Sequence, residues 1–422
     1  MSMTKNELME YFPPMLLGEE LDEAMRYLPK YNPDICHLDA GIRLRQLDKL
    51  KEIYIPSKMS QEIYVKLYLA MVRSLEKKHT VESIRQGVQN HRRIMGLDNN
   101  SVLGGSDSFS IIGKSGIGKS TAIARGLQVA GGTEIITHGF SAGIIPCVNI
   151  QCPQDCSVKG LLLSVLGSVD DILGTEYQKR ATRSRATLDN LIGMVSQVAV
   201  NHILLIVVDE CQNIVRNKHG INVVSTLTQL INSSGVSICL VGLPETELFF
   251  QEEMQLARRS IGLSYREFPC DDFFVSFCQQ VFPYQYVANR VPLTSGIIET
   301  LYQCSGGIIG IVLSLLIESQ QVAITTGQEI ITPELLLETF AGRMHNIQDF
   351  VEVRKEKRPQ TATIEKKKNP ESEKSHGREQ SVSGANLQEG VISVVAERTL
   401  EENADMISLL GKSGICITEV VA

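Results

Sequence analysis

The sequence has no apolar run long enough to cross a membrane as a helix, which takes about 20 residues. Its longest apolar stretch, Ile308–Ile317, fits a buried helix instead. The first 17 residues mix charged residues with prolines and lack the apolar segment of a secretion signal. We therefore expect a cytoplasmic protein that has no contact with a membrane.

Zinc-binding cysteine patterns and an excess of basic charge are also missing. Of the ten cysteines, Cys152 and Cys156 lie four residues apart but have no matching second pair, so reduced structural thiols are the better interpretation. The 41 Lys and Arg residues are outnumbered by 48 Asp and Glu residues. This balance excludes a histone-like surface, although it does not exclude local basic patches.

Strand-like and helical patterns alternate in the middle of the chain. This alternation over residues 101–270 predicts an α/β core, in which a parallel sheet is flanked by helices. Residues 1–100 predict a helical arm, because apolar side chains recur at helical spacing between Tyr64 and Leu75. Residues 271–350 contain only helical patterns and predict a small lid.

The last 72 residues differ in composition from the rest. Residues 351–385 are rich in Lys, Glu and Pro and contain no apolar repeat, which predicts a disordered charged linker. Residues 386–422 have modest apolar content and are interpreted as a tail, with a partner-binding peptide as one alternative.

A glycine-rich segment, Gly113–Ser120, matches G-x-x-x-x-G-K-[ST] at every fixed position. It follows an apolar strand pattern, Phe109–Ile112, and opens a helix at Lys119, whereas a chance glycine-rich turn requires neither. Backbone N–H groups and the helix N-terminus attract phosphates, Lys119 adds a point charge, and the Ser120 hydroxyl can bind Mg²⁺. The segment predicts an ATP site made by Gly113, Ser115, Gly116, Ile117, Gly118, Lys119, Ser120 and Thr121.

Two carboxylates end the apolar run Ile203–Val208. Ligands of open α/β sheets bind beyond the carboxyl ends of the strands, so Asp209 is predicted to hold Mg²⁺ and Glu210 to act as general base on the attacking water. A solvated acidic turn is the alternative. Gln212 and Asn213 follow, and their amides could sense the γ-phosphate, contact a partner or cap a helix.

Several segments together resemble the AAA+ ATPases and, among them, the transposition regulators of the TnsC, TniB, MuB and IstB group, most closely TnsC. The resemblance covers about residues 35–345 and is carried by Gly113–Thr121, Cys152–Lys159, Leu205–Asn213, Cys239–Pro244 and Ser305–Leu313. It implies ATP-dependent assembly as rings or helical filaments on double-stranded DNA. Such assemblies mark the insertion site and link a target selector of the TniQ type to transposase subunits, and ATP hydrolysis dismantles them.

The sequence departs from the AAA+ pattern at two positions. Gly242-Leu243-Pro244 offers no polar residue to sense the γ-phosphate, and Gly306–Gly310 lacks the Arg that often begins a lid helix. We therefore expect slow, assembly-dependent hydrolysis, which suits a switch. The resemblance places an arginine finger at Arg258 or Arg259, which would reach the γ-phosphate of a neighbouring subunit. The alternative is a surface pair at the end of a helix.

No base-reading motif is apparent, so DNA contacts should go mainly to phosphates and depend little on sequence. The candidates are Lys159 and a cluster formed by Lys179, Arg180, Arg183 and Arg185. His91, Arg92 and Arg93 could contact DNA or lie near the adenine. A solvated surface is the alternative for each.

Two other functions share parts of this pattern. Helicase loaders and replication initiators combine the same fold with DNA contact but often add a winged helix, for which residues 351–422 are poor material. Signalling ATPases of the STAND type attach such a core to repeat arrays, and no repeat follows here.

Overall fold

Five parallel strands form the sheet in the computed structural model, which describes residues 11–78, 80–97, 108–137, 143–216, 220–247 and 262–352. Their spatial order is β2-β3-β4-β1-β5, and all neighbouring pairs are parallel. Helical crossovers connect them, as parallel strands require. The strands are β1 (Ser108–Gly113), β2 (Ile145–Gln151), β3 (Ile203–Asp209), β4 (Ser237–Gly242) and β5 (Leu263–Tyr265).

Helices make up most of the remaining described chain. Two short 3₁₀ helices span Pro33–His37 and Leu47–Glu52. The α-helices are α1 (Gly18–Met25), α2 (Ala40–Gln46), α3 (Lys58–Lys78), α4 (Val81–Ile94), α5 (Lys119–Val129), α6 (Val158–Leu173), α7 (Tyr177–Arg183), α8 (Leu188–His202), α9 (Gln212–Arg216), α10 (Gly220–Ser234), α11 (Asp272–Val281), α12 (Ser295–Ser305), α13 (Ile309–Thr326), α14 (Pro333–Arg343) and α15 (His345–Glu352).

Both faces of the sheet are buried, because successive side chains of a strand point to opposite faces. Ile206 and Val208 of β3 pack with α6, α8 and α10, whereas Leu205 and Val207 pack with α1, α3 and α5. Burial on both sides explains why β3 is an uninterrupted apolar run. The predicted parallel sheet covered by helices is confirmed.

The predicted helix around Tyr64–Leu75 is confirmed as α3, but it does not stand apart from the sheet. Tyr64, Leu67 and Met71 are fully buried against strands β1, β3 and β4 and against α5. Gly126 of α5 allows this close approach, since a Cβ there would lie 3.5 Å from the Tyr64 Cα atom. The segment before the sheet is therefore part of the same core.

The helices after β5 form a second core together with residues of the arm. Leu47, Leu50, Ile53 and Ile55 pack among α11–α14. Helix α13 is long and apolar enough to span a membrane, but half of it is buried and its side chains belong to this core. The expected buried helix in this stretch is therefore observed.

A buried ion pair joins the arm to the lid. The Arg43 guanidinium donates to both Glu329 carboxylate oxygens at 2.7 Å, and also to Tyr286 O and Leu38 O at 3.0 Å. The side chains of Arg43 and Glu329 are only 7% and 19% exposed. The paired guanidinium holds the pKa of the Glu329 carboxyl below its ordinary value of 4.5.

Arg43→Ala is expected to lower the free energy of unfolding by about 3 kcal/mol, because Glu329 and two carbonyls lose their donor. Arg45, exposed on the same helix, is the control, and Arg45→Ala should change the free energy of unfolding by less than about 0.5 kcal/mol. Below pH 4.5 the unfolded chain binds more protons at Glu329 than the native chain, so the wild-type advantage should shrink as pH falls. Chemical denaturation across pH checks this, and equal losses for both variants would contradict it.

Candidate functional site

The predicted phosphate loop joins β1 to α5, as its motif requires. Gly116 and Gly118 have φ values of 80° and 99°, the left-handed region that favours glycine. Gly118 is also the N-cap of α5, so the loop delivers the chain directly into the helix N-terminus. This geometry turns backbone N–H groups towards one point, which is the arrangement that binds phosphates.

Lys119 lies folded over the loop. Its Nζ donates to Gly113 O at 2.6 Å and to Lys114 O at 2.9 Å. Burial lowers the pKa of the Lys119 ammonium, while Asp209 and Glu210 oppose that shift. A partly buried cation whose hydrogen bonds go to carbonyl oxygens is well suited to exchange them for phosphate oxygens.

The acidic pair faces the loop across β4. Asp209 ends β3 and is partly exposed, and its Oδ2 lies 3.4 Å from Ser120 Oγ. Because β4 separates β3 from β1, the carboxyl ends of these strands leave a crevice at the edge of the sheet. A hydroxyl and a carboxylate are oxygen donors that suit Mg²⁺, so the residues present fit the predicted metal.

Glu210 has an uncommon backbone conformation. Its φ of 59° is in the left-handed region, which is rare for residues other than glycine and clusters at functional sites. The Glu210 N–H donates to Asp209 Oδ1 at 2.8 Å. Ser115, Thr121 and Glu210 line one cavity of about 340 Å³ together with Lys119 and Asp209.

The two amides after Glu210 have different roles. Gln212 is 7% exposed, and its Nε2 donates to the Glu210 carboxylate. Asn213 Nδ2 donates to Cys152 O at 2.9 Å, and Cys156 Sγ donates to Asn213 O at 3.1 Å. Gln212 thus orients the candidate base, whereas Asn213 and the buried thiols brace the loop after β2.

The lid touches the phosphate loop through backbone atoms. Gly310 N, at the start of α13, donates to Gly116 O at 2.8 Å. The sequence lacks an arginine here, and the structure puts the helix N-terminus itself against the loop. Leu243, which follows β4, lines the same cavity as Asp209 without offering a polar atom. The lid and the phosphate loop are therefore in direct contact.

A second cavity, of about 220 Å³, adjoins the other side of the loop. Its walls come from three segments that are distant in sequence: Ile53–Ser60 of the arm, Gly116–Gly118 of the loop, and Phe268–Leu313 of the lid region. Tyr54 turns towards the sheet while Ile53 and Ile55 turn towards the lid. The apolar lining suits a flat base, and no sequence motif marks it.

Gly310→Ala is expected to weaken ATP binding about tenfold, because its Cβ would lie 2.9 Å from Gly116 O and push the lid off the loop. Gly342→Ala in α14 is the control, since a Cβ there meets nothing within 4 Å. Titration with a fluorescent ATP analogue measures both. Equal affinities for the two variants would show that the contact of lid and loop does not matter for binding.

The structure places the remaining candidates unevenly. Arg258 and Arg259 lie outside the described residues, as do residues 353–422, which hold nearly all of the predicted linker and the tail. Lys159 is exposed near the start of α6. Helix α7 lies between the two helices that the sequence predicted on either side of the basic cluster. The members of the cluster lie on α7 or just after it, and all are exposed: Lys179, Arg180, Arg183 and Arg185.

Two of the basic candidates already have acidic partners. Lys179 Nζ lies 3.1 Å from Glu176 Oε1, in an exposed pair. Arg93 is held by Asp189 of α8 at 2.9 Å. His91, Arg92 and Arg93 are not among the residues that line the cavity beside the loop, and the two alternatives for them, contact with DNA or a place near the adenine, stay open.

The parallel sheet, the phosphate loop and the helical lid define a P-loop NTPase fold of the AAA+ type. Residues 104–265 match the family model of TniB, described as bacterial TniB protein. The match covers less than half of the 422 residues and supports a TniB-like AAA+ core. The closer likeness to TnsC stays a prediction. No curated protein matches the chain.

Several solved structures are similar to the chain at low identity. The ORC2 protein of Aeropyrum pernix (ADPNP-ADP complexes) has a TM-score of 0.44 and 15% identity, over 72% of this chain and 74% of its own. The A. pernix ORC1 protein in complex with DNA has a TM-score of 0.41 and 13% identity, over 62% of this chain and 64% of its own. Drosophila ORC bound to DNA has a TM-score of 0.38 and 9% identity, over 90% of this chain and 88% of its own.

Proposed function

We propose that this chain is an ATPase that regulates transposition by assembling on duplex DNA in its ATP-bound state. The observation that carries the proposal is the meeting of Lys119, Ser120, Asp209 and Glu210 in one cavity at the carboxyl edge of the sheet. The match to the TniB family supports the link to transposition.

Each residue of the site has a role in this proposal. The loop N–H groups and Lys119 bind the phosphates of ATP, and Ser120 and Asp209 hold Mg²⁺. The ion supplies charge neutralisation when bound. Glu210, oriented by Gln212, takes a proton from the attacking water. The cavity beside Tyr54 and Ile309 receives the base.

Hydrolysis in this proposal is slow and depends on assembly. Leu243 has no polar side chain that could sense the γ-phosphate, and the start of α13 contacts the loop only through backbone groups. An arginine from a neighbouring subunit, Arg258 or Arg259, would complete the charge neutralisation. ATP then holds subunits together as a ring or filament, and hydrolysis releases them.

The basic residues of α7, with Lys159, are proposed to bind DNA phosphates. Such contacts release counterions, so affinity should fall steeply with salt and hardly change with sequence. The proposed partners beyond DNA are transposase subunits and a target selector of the TniQ type. The proposed location is the cytoplasm.

Fluorescence anisotropy of labelled duplex DNA tests the proposal. With a non-hydrolysable ATP analogue, binding should be cooperative, insensitive to sequence, and weaker at high salt. With ADP, binding should be much weaker. Equal binding in both nucleotide states, or no binding in either, would contradict an ATP-switched DNA regulator.

A further inference from the structure

Helix α4 exposes an apolar stripe. Val81, Ile84, Val88 and Met95 follow one another at intervals of three, four and seven residues, which places them on one side of the helix. Their exposed fractions are 60%, 72%, 57% and 63%. A surface helix of a globular protein normally turns such a stripe towards the core. On α4 the stripe faces outwards and is available to bind another surface.

Polar contacts fix the opposite side of α4. Ser83, Gln86 and Asn90 are buried there. Gln86 Nε2 donates to Asn90 Oδ1 at 3.0 Å, and Asn90 Nδ2 donates to Ser233 O of α10 at 2.9 Å. Turning the stripe inwards would leave these buried groups without partners, which is costly. The outward orientation is therefore part of the fold.

Basic side chains flank the stripe. Arg85 and Arg92 are seven residues apart and exposed, so they lie along one border of it. A surface that complements α4 should combine apolar side chains with carboxylates.

Helix α1 offers such a surface. Glu19, Glu20 and Glu23 are exposed on it, while Leu21 and Met25 on its other side are buried in the core. Leu17, 62% exposed, precedes the helix, and Leu28, 41% exposed, follows it. The chain thus carries both an acidic and a basic surface with apolar groups.

The two surfaces lie near opposite ends of α3. Gln61, in the first turn of α3, donates to Asp22 of α1 at 2.8 Å, and α4 begins just after α3 ends at Lys78. The 21 residues of α3 span about 32 Å. The α1 surface is therefore far from α4 of its own subunit but open to α4 of another. Contact between two different patches repeats head to tail, which builds rings or filaments.

We propose that the apolar, basic face of α4 binds the acidic face of α1 on the next copy of this chain. The contact rests on the proposed self-assembly and names surfaces that carry it. A stable interface buries about 800 Å² on each partner, more than four side chains supply, so α4 contributes one part of the subunit contact.

Two variants remove one side of the contact each. Ile84→Asp puts a charge into the stripe, and the double variant Glu20→Arg, Glu23→Arg reverses the charge of α1. All three positions are exposed, so the fold is kept. Each variant should need at least about tenfold more protein for half-assembly on DNA with the ATP analogue, measured by mass photometry.

Mixing the two variants provides the decisive result. One variant keeps its α1 and the other keeps its α4, so a mixed pair can form one intact contact. The mixture is measured at a protein concentration at which the wild type assembles and neither variant assembles alone. Pairs of the 46.7 kDa chain should accumulate, and longer assemblies should not. Leu337→Asp introduces the same charge, and Glu338→Arg reverses a single charge, at exposed positions of α14, and both variants should assemble like the wild type.

The outcomes separate this contact from the proposed function. If the wild type assembles and Ile84→Asp assembles equally well, the α4 contact is wrong while the proposed function stands. If both variants fail but their mixture gives no pairs, α1 is not the partner of α4 and the proposal is overturned. If the wild type does not assemble with the ATP analogue on DNA, the contact and the proposed function both fall.

Discussion

Lys119→Ala is expected to abolish ATP-dependent assembly on DNA and to weaken ATP binding at least about 100-fold. The reason is that Lys119 is a partly buried cation of the loop, and its Nζ donates hydrogen bonds to two carbonyl oxygens. Hydrogen bonds to charged groups are worth about 1.5–3 kcal/mol each, and alanine supplies none. Isothermal titration with ATP and Mg²⁺ measures the loss directly.

Lys114 is the matched control, since it lies in the same loop but pairs with Glu267 at 3.2 Å and is 40% exposed. Lys114 does not line the cavity that contains Lys119, so Lys114→Ala should reduce ATP affinity less than about fivefold, the effect of a change of about 1 kcal/mol. Unchanged ATP-dependent assembly by Lys119→Ala would show that the loop is not the nucleotide site. Similar losses for both variants would assign the effect to general damage of the loop.

Glu210→Gln is expected to leave ATP binding and assembly intact while slowing hydrolysis by about 10²–10⁴-fold, the contribution of a general base. The amide keeps the size of the side chain but cannot accept a proton from water. If hydrolysis releases subunits, assemblies of this variant should persist on DNA by a similar factor. Parallel measurements of phosphate release and of assembly lifetime check both parts.

Asp209→Asn, one residue before Glu210, is the variant to compare with Glu210→Gln. It removes a carboxylate that lies 3.4 Å from Ser120 Oγ, so it should weaken Mg²⁺-dependent ATP binding and prevent assembly instead of prolonging it. Rapid disassembly by Glu210→Gln would contradict the base role of Glu210. Identical behaviour of the two variants would contradict the division of roles between the carboxylates.

The phosphate loop and the acidic pair could be predicted from the sequence because each is a local pattern. Gly113–Ser120 carries its own backbone requirements, and an apolar run that ends in Asp209-Glu210 marks the edge of a sheet. The structure brings both patterns to one cavity, as expected because ligands of open α/β sheets bind beyond the carboxyl ends of the strands. The roles assigned to these residues remain predictions.

Features that depend on distant contacts could not be predicted in this way. The cavity for the base combines the arm, the loop and the lid, and only the packing of α3 on the sheet brings them together. The bond from Gly310 to Gly116 joins two backbones and leaves no side-chain signal. For α4, periodicity alone would predict that the apolar stripe is buried. The stripe faces outwards, because the opposite side of the helix is held in the interior by the hydrogen bond from Asn90 to Ser233 O.

Electron microscopy of the protein with duplex DNA tests the central claim, that ATP at this site controls assembly. With a non-hydrolysable ATP analogue, the wild-type protein should form rings or filaments on DNA, and with ADP it should appear as single subunits. Single subunits in both states, or the same assemblies in both, would contradict the account.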